Sequence, residues 1–300
     1  MHIRVLGAAA GGGFPQWNCS CTNCLRLRQG RFHGQPRTQA QLAVSTDDAS
    51  WYLLNASPDL RFQIESFPPL HPQAACLRHS PIAGIVLPSA EVDAALGLLL
   101  LRESQPLTVY ATSAVRQILT DDNSLFQVLR RQRNQVKWIS MMPDVPFALQ
   151  DSGLECLPVS TDGGFPGFVP EGRRKELDPR EAVLGVFLQH QGHRVAVFSG
   201  ASRVCPDWLE EFNRCDVVFF DGTFWSDDEL IQLQGSGKTA REMGHQPVQE
   251  TVRALAKITA RKIFIHINNS NPILDEDSEE FRMTRDAGWE VAFDGMDLVV

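Results

Sequence analysis

Two segments in the last third of the chain, "DVVFFDGT" (Asp216–Thr223) and "RKIFIHIN" (Arg261–Asn268), are apolar at consecutive positions and lack a polar stripe. Each is too short for a buried helix, and successive strand residues point to opposite faces, so each reads as a strand covered on both sides. A chain with such strands must build layers on both faces of a sheet. The other segments add two connection types. "QLAVSTDDASWYLLNAS" reads as two strands across the Asp47-Asp48 turn, and "VLGVFLQHQGHRVAVFSG" as a hairpin turning near Gln191-Gly192. "AGIVLP", "LTVYAT" and "QVKWISM" read as strands alternating with helices over Ser89–Glu103, with Ser89 as N-cap, and Ser113–Gln132. Further helices are expected in "SPDLRFQIESF", "DWLEEFNRC", "PVQETVRALAK" and "EDSEEFRMTRDAG", the last stopping at Gly288 before a final strand pair in "WEVAFDGMDLVV". Hairpins mixed with strand–helix units imply an α/β architecture, with sheets packed face to face and helices outside. Thr161–Arg180, rich in Gly, Pro and charge, is expected to be a lid or a mobile excursion.

Composition excludes some functions. A formal net charge of -8 argues against a general nucleic-acid binder, which needs a basic face. No stretch approaches the roughly eighteen apolar residues of a membrane span, so no integral membrane segment is expected. The chain has seven cysteines, four of them scattered (Cys76, Cys156, Cys205, Cys215), which fits a reducing cytoplasm.

The other three lie in "WNCSCTNC" as Cys19, Cys21 and Cys24. A disulfide among them closes a very small ring, and a nucleophile needs only one thiolate with a base. Three thiolates on one short loop suit a soft, tetrahedral ion, so structural zinc is the reading, with a redox thiol as the alternative. The fourth ligand must come from a distant segment.

Carboxylates and histidines at the ends of buried strands converge on one rim of a sheet. Asp221 ends "VVFFDGT" and His266 lies in "IFIHINN"; Asp93 sits in the first turn of its helix, two residues after Glu91, and His245 precedes a helix. Each has a plainer role open to it: helix-start carboxylate for Asp93, turn cap for Asp221, core histidine for His266, N-cap neighbour for His245. Together they could supply oxygen and imidazole ligands to iron, manganese or zinc.

"LGAAAGGGFPQWNCSCTNC", "PRTQAQLAVS", "NASPDLR", "GLLLLRE", "FFDGTFWSDDE", "TAREMGH" and "HINNSNPILDEDS" resemble the pyrroloquinoline quinone (PQQ) biosynthesis protein B family over essentially the whole chain. The resemblance implies one metallo-β-lactamase-like domain over residues 1–300: two facing mixed sheets flanked by helices, a metal site on the rim, and a cysteine-rich metal-binding loop at about 12–30. It implies structural zinc on Cys19, Cys21 and Cys24, with Asn269 or His266 as fourth ligand. It further implies Fe(II) on Asp93, Asp221 and His266, with His245 moving protons or orienting a phenol. The implied reaction is dioxygen-dependent hydroxylation of a tyrosine ring in a peptide-derived Glu-Tyr precursor, alongside other PQQ biosynthesis proteins. One position departs from the pattern. The fold's His-x-His-x-Asp-His motif falls on Ser89–Ala94, and Ala94 stands where the family normally has histidine, removing an imidazole ligand. Two other readings therefore stay open: a non-catalytic carrier of PQQ or its precursor toward the periplasm, and a metal-dependent hydrolase.

Overall fold

The computed structural model describes residues 1–73, 77–133 and 135–300, so Cys76 lies outside the described residues. In chain order the first strands are β1 (His2–Gly7), β2 (Gln41–Ser45), β3 (Trp51–Leu54), β4 (Ile82–Val86), β5 (Leu107–Ala111), β6 (Val136–Ser140) and β7 (Phe147–Ala148). There follow β8 (Glu155–Ser160), β9 (Leu184–His190), β10 (His193–Phe198), β11 (Val217–Asp221), β12 (Arg261–Ile265), β13 (Trp289–Val291) and β14 (Asp297–Val299). They form two seven-stranded sheets, ordered β14-β1-β2-β3-β4-β5-β6 and β13-β12-β11-β10-β9-β8-β7. Both are mixed: β3 to β6 and β10 to β13 run parallel, while the hairpin-connected strands run antiparallel.

Alternation along the strands explains the unbroken apolar runs. Val217 and Phe219 of β11 and Ile263 and Ile265 of β12 join a core between the sheets, with Leu42 and Val44 of β2 from the opposite sheet. Val218, Phe220 and Phe264 point the other way, into a core beneath helices that includes Trp208, Phe212 and Trp289. The first sheet has its own outer core, where Leu53 and Ile85 meet Val115 and Ile118 of the helix Ser113–Thr120. Each fully buried side chain of this size contributes about 1.5–3 kcal/mol, so neither sheet has a face it can leave uncovered. The result is a helix–sheet–sheet–helix sandwich.

Several expectations need correction. The helix over Ser89–Glu103 is only one α-helical turn, Val92–Ala95, followed by a 3-10 stretch, Leu96–Leu101. Its N-cap is Glu91, and Ser89 instead accepts the Glu91 N–H at 3.3 Å. A tertiary contact breaks the helix: the Ala94 carbonyl accepts from Ala56 N–H at 2.7 Å, and a Cβ on Gly97 would meet the Ser57 carbonyl at 2.3 Å. The helix over Ser113–Gln132 stops at Thr120; Asp121 and Asp122 both turn back to the Gln117 carbonyl, and Asn123 caps a new 3-10 stretch, Ser124–Arg130. The final strands do not pair, because β13 joins the second sheet and β14 crosses to β1 in the first. Residues 161–180 hold a short helix, Glu171–Arg174, and bury Val169 and Leu177 in the outer core of the first sheet. Strands β7 and β8 and the helix Thr22–Arg28 were not anticipated. Among the described residues no helix is long and apolar enough to cross a membrane.

Candidate metal centres

Parallel pairing sets Asp221 opposite Ile265, so the residues leaving β11 and β12 share one rim of the second sheet. His266 follows β12 with φ +60°, a left-handed conformation that costs a residue with a side chain about 1–3 kcal/mol. Surrounding backbone holds it there: Gly222 N–H donates to the Ile265 carbonyl at 2.8 Å and Ile267 N–H to Ala8 at 2.9 Å. His245 arrives on the turn after Arg241–Met243, its N–H bonded to the Ala240 carbonyl at 2.9 Å. Asp93 is delivered from the other sheet by its single helical turn.

These four side chains meet. His266 Nε2 lies 2.9 Å from Asp93 Oδ2, and His245 Nδ1 lies 2.6 Å from Asp221 Oδ2. Asp221, His245 and His266 each offer an atom within 4.8 Å of the others. Thr223 ties them together: its Oγ1 is 2.5 Å from Asp221 Oδ1, 2.9 Å from His266 Nδ1 and 3.1 Å from His245 Nδ1. Asp221 is fully buried and satisfied by donors, with Thr223 N–H and hydroxyl on Oδ1 and Ala201 N–H and His245 on Oδ2. Above them opens a cavity of about 310 Å³ whose lining includes Glu91, Asp93, Ala94, Phe224 and Asn268 but no Lys or Arg.

The charges are set by that enclosure. Burial alone would raise the Asp93 carboxyl, but the hydrogen bond from His266 and the charges of both histidines hold it below its ordinary value. Burial likewise opposes Asp221, and His245, His266 and Thr223 outweigh it, so Asp221 also lies low. His266 is pushed down by burial yet ends above its ordinary value because Asp93, Asp221 and Glu91 favour its cation. Glu91 is raised by burial and by Asp93. Glu91 and Asp93 line the hollow beside His245 and His266, with Asp221 buried behind them, and the three carboxylates favour positive charge at His266. The donor set suits a divalent metal with mixed oxygen and nitrogen ligands.

The cysteine cluster is built differently. Cys21 is the N-cap of the helix Thr22–Arg28 and Cys24 lies one turn on, so both face the same side, with Cys19 folded back beside them. The three sulfurs lie within 4.8 Å of one another. Asn269, from the segment after β12, covers them: its Nδ2 is 3.2, 3.5 and 3.4 Å from the sulfurs of Cys19, Cys21 and Cys24. A half-turn of that carboxamide would put Oδ1 in the same place. His266 faces the rim instead, with one ring nitrogen toward Thr223 and the other toward Asp93. Burial, reinforced by the neighbouring sulfurs, pushes the Cys24 thiol up to about 11. Cys19 is opposed by burial but lowered by hydrogen bonds from Cys21, Cys24 and Asn269. A bound dication relieves such crowding of thiolates. The donors fit zinc.

Sequence reasoning missed Thr223, Asn268 and the closure of the cysteine cluster by Asn23, whose Nδ2 donates to the carbonyls of Asn269 at 3.2 Å and Asn271 at 3.0 Å. Thr223 had a readable signal. It lies two residues after Asp221 across a glycine, and its N–H donates to Asp221 Oδ1 at 3.0 Å, as in an Asx turn.

Comparison with known proteins places this geometry. Residues 50–267 match the beta-lactamase superfamily domain. The chain is 42% identical to the coenzyme PQQ synthesis protein B of Xanthomonas oryzae pv. oryzae, with 100% of each chain covered. Among solved structures, the Zn(2+)-bound PqqB of Methylobacterium extorquens superposes with a TM-score of 0.91 at 38% identity, covering 100% of both chains. A diphosphatase of the PhnP family superposes with a TM-score of 0.67 at 19% identity, covering 99% of this chain and 96% of that one, which speaks to the fold alone. The sandwich is thus the metallo-β-lactamase fold, and the chain belongs to the coenzyme PQQ synthesis protein B family.

Proposed function

We propose that this protein acts in PQQ synthesis by oxidising a tyrosine-derived precursor at the rim, with zinc on the cysteine cluster as a structural ion. The observation that carries the reading is the cluster of Asp221, His245 and His266, joined to Asp93 through His266, at a cavity lined by Asp93, His245 and His266. Asp93, Asp221 and His266 would hold Fe(II), which when bound would activate dioxygen for hydroxylation of the ring, a two-electron reductant such as ascorbate reducing the second oxygen atom to water. The protein's own part is orientation and proton handling. His245 Nδ1 faces Asp221, and its Nε2 has no hydrogen-bond partner among the described residues. That nitrogen is placed to take the phenolic proton as the ring is oxidised. Phe224 and Met243 supply apolar wall for an aromatic ring. Cys19, Cys21, Cys24 and Asn269 would hold the zinc. The free cysteines among the described residues support a cytoplasmic location, where the other PQQ biosynthesis proteins would be its partners.

The test is anaerobic reconstitution with iron, addition of the Glu-Tyr precursor, ascorbate and oxygen, and mass analysis of the product. A gain of one oxygen atom on the ring supports the proposal, and no turnover by iron-loaded protein sinks it. One observation favours a carrier instead: Ala94 lines the cavity where an imidazole is expected, leaving the rim one donor short. Protein that retains one zinc per chain, takes up no rim metal under iron supplementation and still binds precursor would establish that reading.

A further inference from the structure

Beside the candidate ligands a hydrogen-bond chain runs from the cavity wall into the protein. Asn268, which lines the cavity, donates from Nδ2 to Ser270 Oγ at 2.5 Å; Ser270 donates to Glu229 Oε1 at 2.5 Å; and Glu229 Oε2 accepts Trp225 N–H at 2.6 Å. The direction of this chain is dictated by its far end. An ionised carboxylate only accepts, so the Ser270 proton must point at Glu229, and Ser270 is left able only to accept from Asn268. The amide nitrogen of Asn268 is thereby committed to Ser270. Its Oδ1 has no protein partner among the described residues, and the backbone N–H of Asn268 is pinned to the Thr223 carbonyl at 3.0 Å.

We infer that Asn268 is a specificity-determining residue that presents a fixed hydrogen-bond acceptor to the ligand in the rim cavity, with Ser270 and Glu229 as the positioning residues that set its polarity. The ligand class is one carrying an O–H or N–H donor, such as a phenol, and this rests on the rim cavity being the precursor site. A ligand with only an acceptor at that point meets Oδ1 lone pair to lone pair and is disfavoured.

Glu229→Gln reverses the polarity without changing the shape. The new carboxamide must accept Trp225 N–H through its oxygen, so its NH2 donates to Ser270, Ser270 donates onward, and Asn268 turns its oxygen inward and its NH2 to the cavity. The experiment compares L-tyrosine with O-methyl-L-tyrosine binding to zinc-replete protein at pH 8, above the Glu229 carboxyl that burial lifts to about 7. The Asn268 side-chain amide is followed by NMR in the same samples. The native protein is expected to favour tyrosine about fivefold; Glu229→Gln, whose exposed NH2 either ligand's oxygen can accept, and Ser270→Ala are both expected to bring the ratio near one. The Asn268 amide signals are expected to move in Glu229→Gln. The same preference in all three proteins would overturn the inference. If neither amino acid binds, the precursor-site reading falls; unmoved Asn268 signals in Glu229→Gln would overturn the polarity argument itself.

Discussion

The cysteine cluster and the rim are two cation-ready sites in one protein, built on opposite plans. The first takes three donors from six consecutive positions and one cover from Asn269. The second gathers Asp93, Asp221, His245 and His266 from four separate segments, and in the absence of a cation its members satisfy one another. Thiols packed together do that only in part: against burial, hydrogen bonds from its neighbours lower Cys19, while burial and the neighbouring sulfurs hold Cys24 up at about 11. An ion at the cysteines would complete a structure, whereas one at the rim would have to displace an existing network. A site of the second kind can bind weakly, exchange its metal and still remain folded.

The contrast can be broken, most severely at the cysteines. Cys24→Ser should abolish stoichiometric zinc and destabilise the fold by about 3 kcal/mol or more, lowering Tm on the order of 10 °C. Elemental analysis and thermal unfolding measure both, and an unshifted Tm would make the two sites alike. Next, Ala94→His should return an imidazole to the rim and tighten Fe(II) or Co(II) by about 10- to 100-fold. Metal titration reads this directly, and unchanged affinity would mean that side chain does not reach the ion.

A pH series sharpens the comparison further. His266 lies above its ordinary value in the fold, so its cation stabilises the metal-free protein fully below about pH 6.5, and that contribution drains away as pH rises through the raised value. Asp93 and Asp221 lie low, so their contribution is present above about pH 3.9 and is lost as pH falls through their depressed values. Metal must displace the His266 proton, so rim affinity should climb by up to about tenfold per pH unit while metal-free stability declines. Parallel slopes of Tm against pH with and without metal would refute this. The smallest effect is expected from Asn269→Asp, a carboxylate for an amide over the sulfurs, which should tighten zinc about tenfold or less in a chelator competition. A loss of affinity would show that the amide nitrogen, not an oxygen, belongs there.

Legibility in the sequence follows the range of the interaction. The hairpin at Gln191-Gly192 was readable because both residues adopt positive φ, as a tight turn between two strands demands. The three cysteines declared themselves by spacing. The short turn at Val92–Ala95 was unreadable: its leucines keep helical spacing, and only the remote Ala56 and Ser57 backbone interrupts them. β13 and β14 read as partners because nothing local tells a strand which sheet it will join. At the rim, strand-end chemistry singled out Asp221 and His266, but the pairing of His266 with Asp93 across 173 positions depends on the whole sandwich. Thr223 is flagged only by its place two residues after Asp221, and Asn268 by nothing local, its role existing only through neighbours.

Asn269 reaches its three sulfurs from about 250 positions downstream, and that separation has a consequence for biosynthesis. On a ribosome releasing the chain from its start, the thiols emerge early and wait through most of translation before their cover arrives. During that interval they are open to oxidants and to any soft metal. We therefore expect nascent chains arrested before residue 260 to be alkylated rapidly at all three cysteines, and full-length chains to be shielded; equal labelling of both would show that the lid over the sulfurs does not protect them.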